Sequence, residues 1–117
     1  QPDMLEYLRR LLEEQGAEVV AAGSASEALA VLDDGGHARI DVMVTDIGMP
    51  GMDGYGLIRT IRENMGLQAA ELPAVAVTAL ARDDDRQRAL QSGFQEHLAK
   101  PYSVAQLVSA VRFARQG

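Results

Sequence analysis

The sequence contains no cysteine. That excludes disulfides, thiolate metal centres and cysteine nucleophiles, and it is compatible with a reducing compartment. Positive charge is in short supply: 11 Lys and Arg stand against 17 Asp and Glu, a net charge of −6. Sequence-independent nucleic-acid binding needs clustered Lys and Arg, so no direct nucleic-acid contact is expected. Contact with an acidic membrane surface is disfavoured for the same reason. No apolar run approaches the length of a bilayer span or a signal peptide, so the expected location is cytoplasmic. Repeats, low-complexity tracts and signs of a second domain are also missing. What remains is 117 residues, 47% hydrophobic and 24% charged. This reads as one soluble globular domain over residues 1–117, long enough to bury about two thirds of its unfolded surface.

Met4, Leu5, Leu8, Leu11 and Leu12 recur at helical spacing, which predicts a helix from about Pro2 to Gln15 that stops at Gly16. Val19 to Ala22 reads as a short strand. Ser24-Ala25-Ser26-Glu27 has the pattern of a capping box, and Ala28, Leu29 and Leu32 supply the buried stripe of the helix it opens. Asp33 to His37 form a turn before the strand Val42-Met43-Val44, whose lack of polar alternation suits a parallel strand covered on both faces. Leu57, Ile58 and Ile61 mark a third helix, and Ala74 to Thr78 a further strand after the connection 66–73. The helix over Asp83 to Ser92 has few apolar anchors and is expected to be the least firmly packed. His97-Leu98-Ala99 is the next strand, and Val104, Leu107, Val108 and Val111 build the last helix. Strands alternating with helices predict an α/β fold with a doubly wound parallel sheet. The chain opens on a helix where βαβ units open on a strand, so four strands are expected and a first strand is expected to be missing.

Three of the strands end at Asp46, Thr78 and Lys100. The carboxyl ends of parallel strands lie along one sheet edge, where open α/β sheets place their sites, so these distant residues are expected to converge. A carboxylate can act as nucleophile, while a hydroxyl and an ammonium hold transferred phosphoryl oxygens. Each alone has a plainer role: Asp46 as a turn cap, Thr78 as a strand residue closing a turn, Lys100 as a solvated charge.

The segments VMVTDIGMPGMDG (Val42 to Gly54), VAVTAL (Val75 to Leu80) and HLAKP (His97 to Pro101) resemble the response-regulator receiver domain of two-component signalling. The likeness covers essentially the whole chain and implies a flavodoxin-like receiver fold. It implies that Asp46 accepts a phosphoryl group from a phosphohistidine, with Thr78 and Lys100 each holding a phosphoryl oxygen and self-dephosphorylation as a possible return step. It also implies Mg2+ bridging the Asp46 carboxylate and the phosphoryl group, with the backbone carbonyl of Gly48 as a further ligand. The family's switch, a hydroxyl followed inward by an aromatic ring, maps onto Thr78 and His97, the latter an imidazole that brings pH sensitivity. Lys100-Pro101 matches a peptide that is cis in the family. Asp53 reads as a helix cap and Asp83 to Asp85 as complements to a helix dipole.

One departure stands out. Receivers carry an acidic pair at the end of their first strand that supplies metal ligands, and neither acid is in this sequence. Asp3 matches a position beyond that pair. Longer matches such as DIGMPGMDGYGLIR and GFQEHLAKP resemble receivers attached to hybrid sensor histidine kinases, which implies a histidine kinase or an HPt domain as partner. Two alternatives remain: a phosphorylation-independent receiver acting as an interaction module, and a phosphatase or dehalogenase with Asp46 as covalent nucleophile. Gly48 disfavours the latter, because it stands where such enzymes usually have a second acid.

Overall fold

Parallel strands need neighbours to satisfy their backbone, and the middle strand of a sheet must be apolar on both faces. Ala74–Thr78 meets that condition, with all five residues buried, and it forms the centre of the sheet in the computed structural model. The structure describes residues 2–33, 35–47, 54–78 and 83–116. In chain order the elements are α1 (Pro2–Glu14), α2 (Ala25–Leu32), a 3-10 turn (Gly36–Arg39), β1 (Met43–Asp46), α3 (Gly54–Arg59) continued by a π-helical turn (Thr60–Asn64), β2 (Ala74–Thr78), α4 (Asp83–Ser92), β3 (Glu96–Ala99) and α5 (Val104–Gln116). The sheet has the order β1-β2-β3 and is parallel throughout.

Helices cover both faces, as a doubly wound sheet requires. On one face Leu8 and Leu11 of α1 and Leu107, Ala110 and Ala114 of α5 pack on Val75, Val77 and Leu98. On the other, α2, α3 and the π-helical turn bury Leu32, Leu57 and Ile61 beside Leu67 and Leu72, while Tyr55, Ile58 and Ala89 meet Ala74, Ala76 and Phe94. Of the ten residues of α4 only Ala89 is buried, in keeping with the sparse apolar anchors of its sequence.

The capping box forms: Ser24 Oγ accepts the Glu27 N–H at 3.1 Å, and the Glu27 carboxylate reaches back to the N–H of Gly23. A second capping box opens α5. Ser103 Oγ accepts from Gln106 N–H at 3.1 Å and Gln106 Oε1 from Ser103 N–H at 2.8 Å, so the Ser-x-x-Gln pattern fixes where the chain turns back after Lys100.

The expected strand at Val19 to Ala22 does not form, and the sheet has three strands among the described residues, not four. The segment lines a groove of about 750 Å³ together with Val42 to Thr45, Leu5, Leu8 and Val108. A strand is defined by its ladder, and no described neighbour offers these residues one. Val20 is accordingly 61% exposed despite its β-branched side chain.

Candidate functional site

The ladder decides where the three strand-end residues sit. Asp46 pairs with Val77 and Thr78 with Ala99, so each strand end is offset by one residue from its neighbour. Backbone bonds continue past the strands: Ile47 N–H donates to Val77 O at 2.9 Å, and Lys100 N–H to Thr78 O at 2.7 Å. Asp46, Thr78 and Lys100 are thereby anchored at one edge by main-chain bonds that do not depend on their side chains. With adjacent strands about 4.8 Å apart, only a long side chain on β3 can cross the end of β2 to reach β1. Lys100 does so, and its Nζ pairs with Asp46 Oδ2.

Asp46 and Thr78 are both buried, whereas the Lys100 side chain is 25% exposed, so the ammonium approaches a sunken carboxylate from the solvent side. The Lys100–Pro101 peptide is cis, as the resemblance implies. Gly54, the first residue of α3, closes the floor: a Cβ there would lie 2.9 Å from Ile47 Cα and 3.1 Å from Thr45 Cγ2. That approach lets α3 start hard against the end of β1, which the sequence reading did not draw from the glycine.

One further group went unnoticed in the sequence. Tyr102 places its ring 6.4 Å from that of Tyr7, and its buried hydroxyl has no hydrogen-bond partner. Burial, then the neighbouring Tyr7 and the Asp46 charge, push its phenol up to about 12. A tyrosine directly after Lys-Pro was the available signal. His97, on β3, lies opposite Ala76 and not at the strand-end cluster itself. Burial holds its imidazole below the ordinary histidine value, with Asp85 and Glu96 acting to raise it and Arg86 to lower it.

Gly48 and Asp53 lie outside the described residues. Among the described residues no three His, Asp or Glu side chains gather as a metal cluster. Asp46 supplies a single carboxylate, already engaged by Lys100, whereas magnesium sites combine one or two carboxylates with waters and substrate phosphates. The described residues do not by themselves compose a magnesium site.

Comparison with known proteins agrees with this arrangement. A protein from Leptolyngbya boryana, "Uncharacterized 14.6 kDa protein in sodA1 3'region", is 44% identical over 112 residues, covering 95% of this chain and 81% of the relative. The sensor protein GacS of Pseudomonas syringae pv. syringae is 36% identical over 94% of this chain, yet the match spans 12% of GacS. Among solved structures, a response regulator receiver domain protein from Clostridium thermocellum superposes with a TM-score of 0.83 at 28% identity, covering 99% of this chain and 88% of that one. The signal receiver domain of a signal transduction histidine kinase from Syntrophus aciditrophicus gives 0.80 at 30% identity, covering 100% and 85%. With the family model of the response regulator receiver domain matching residues 1–112, the chain belongs to that family and is a receiver domain of two-component signalling.

Proposed function

We propose that this receiver takes a phosphoryl group from a phosphohistidine onto Asp46. The observation that carries the reading is the buried Asp46 carboxylate held by Lys100 at the common end of three parallel strands, with Thr78 on the strand between them. In the transfer, a carboxylate oxygen forms a bond to phosphorus as the P–N bond of the phosphoimidazole breaks, and the imidazole leaves with the electron pair. Negative charge spreads over the transferred oxygens at that moment. Lys100, tethered by its backbone to Thr78, can pass its ammonium from the carboxylate to a phosphoryl oxygen without moving its main chain. The Thr78 hydroxyl would hold a second oxygen. No step is assigned to a metal.

The donor is proposed to be a histidine kinase or an HPt domain, and the domain's parent a hybrid sensor kinase. The resemblance of the central segments and the match to GacS support this. Switching would act through α4, β3 and α5, which adjoin Thr78 and Lys100.

Incubation with a small-molecule phosphodonor and magnesium is expected to give a base-labile adduct that Asp46→Asn abolishes. An adduct that survives this substitution would overturn the assignment. Wild-type protein that stays unlabelled while still binding its kinase would instead identify a phosphorylation-independent docking module.

A further inference from the structure

Two polar side-chain atoms are buried without a hydrogen-bond partner on elements that pack together: Oδ2 of Asp85, in the first turn of α4, and Nε2 of His97, on β3. His97 pairs with Ala76, so its side chain lies on the sheet face that carries Ala76, Phe94 and Ala89 of α4. Leu98 points the other way, into the α1 and α5 core. An unpaired buried acceptor costs about 1–3 kcal/mol. The two atoms do not bond each other as placed, and a proton on Nε2 shared with Oδ2 would satisfy both.

The charges acting on the ring are few. Asp85 and Arg86 come from α4 and Glu96 from β3 itself. The neighbouring β2 residue is the uncharged Ala76, and α5 meets β3 through Leu98 on the opposite face. Arg88, also on α4, is stacked over the Tyr55 ring at 4.1 Å. Of the three acids of α4, Asp85 is the one that acts on the ring. Its sequence reading as one of three residues complementing a helix dipole does not account for a carboxylate oxygen buried without a partner on the helix that packs against β3.

We propose that Asp85 is a positioning residue for His97: its Oδ2 accepts the proton on Nε2 of the neutral imidazole, which fixes the tautomer and holds the ring between β3 and α4. Nδ1 is then the nitrogen that takes the next proton. On acidification the ring becomes an imidazolium beside the Asp85 carboxylate, and the substitution of Asp85 changes both the tautomer and the pH of that change. The bearing of this contact on signalling rests on the phosphoacceptor reading above, since the ring lies on the strand that leads into Lys100. The contact itself does not.

Imidazole nitrogen NMR of the unphosphorylated protein over a pH series separates the two. The wild type is expected to show the Nε2–H tautomer of His97 in large excess. Asp85→Ala should lose that excess and lower the His97 titration midpoint by about one pH unit, as loss of a close opposite charge does. Asp85→Asn, whose amide oxygen still accepts the proton, should keep the tautomer and lower only the midpoint. Arg86→Gln should move the midpoint upward. A wild-type ring in the Nδ1–H form, or a midpoint and tautomer unaffected by Asp85→Ala, would overturn the proposal. Phosphodonor labelling of the same wild-type sample reads the other claim: intact labelling with an Nδ1–H ring removes the role of Asp85 alone, and absent labelling with an Nε2–H ring removes the phosphoacceptor role alone.

Discussion

The sheet holds a partly buried cation at each of its two ends, and the two are satisfied in different ways. Near the amino ends of β2 and β3, Arg62 donates to Gly93 O at 2.9 and 3.1 Å, to Leu67 O at 2.9 Å and to Gln95 Oε1 at 3.0 Å. Gln95 Oε1 also accepts from Ala74 N–H at 2.8 Å, so the network ties the π-helical turn after α3 to the starts of both strands. At the carboxyl ends, Lys100 meets one carboxylate, Asp46, with Thr78 beside it. Arg62 spreads its charge over neutral, mostly main-chain acceptors that no reaction will alter, and a fixed fork of donors suits that task. Lys100 carries a compact charge on a flexible stem, aimed at a group that can change charge. The first arrangement is a fastening. The second can exchange partners, which a phosphoryl site requires.

The sharpest way to break this contrast is to remove each cation and read both stability and phosphoacceptance. Lys100→Gln is expected to slow labelling of Asp46 on the order of 10²-fold or more, the usual cost of deleting one charge-stabilising donor. An unchanged labelling rate, followed over time with a small phosphodonor, would remove Lys100 from the site. Arg62→Ala should do the opposite. It strands several buried acceptors and is expected to lower unfolding free energy by about 2–4 kcal/mol in urea titration, while the labelling rate of the folded fraction is preserved.

A smaller effect belongs to His97. Its folded value lies below the ordinary one, so the unfolded chain protonates first as pH falls. Stability is therefore unaffected well above about pH 6.5, declines as pH drops through that value, and levels off below the folded value. His97→Phe should flatten that part of the curve, measured by thermal melts at several pH values. Smallest of all is Val20→Thr, expected within about 0.5 kcal/mol of wild type because the residue lies at an unpaired, exposed position. The same substitution at the fully buried Val75 should cost about 1–3 kcal/mol for the hydroxyl it buries.

The two valines also show what the sequence can and cannot disclose. Val19 to Ala22 and Ala74 to Thr78 are similar short apolar runs, and periodicity alone reads both as strands. Only the second lies between neighbours that complete its ladder, so pairing across the chain, not local pattern, separated them. The site was more legible. Asp46, Thr78 and Lys100 close their apolar runs in order, and a parallel sheet must bring such ends to one edge. The ion pair between the first and last is a three-dimensional fact with no local signature. Arg62 looked like any helix-surface arginine, since nothing in its neighbourhood announces that Gly93 and Gln95 will arrive opposite it. Gly54 was visible within the central motif, but its close approach to Ile47 depends on the angle at which α3 leaves the loop. Ser103 and Gln106, by contrast, form a cap that spacing alone would have revealed.

The measurement that bears most directly on the central claim is chemical mapping of the phosphorylated residue. Borohydride reduces an aspartyl phosphate to homoserine, and peptide mass spectrometry then locates it. The account predicts homoserine at position 46, absent from unphosphorylated controls. Homoserine at another aspartate, or phosphate retained on a histidine with Asp46 unreduced, would contradict it.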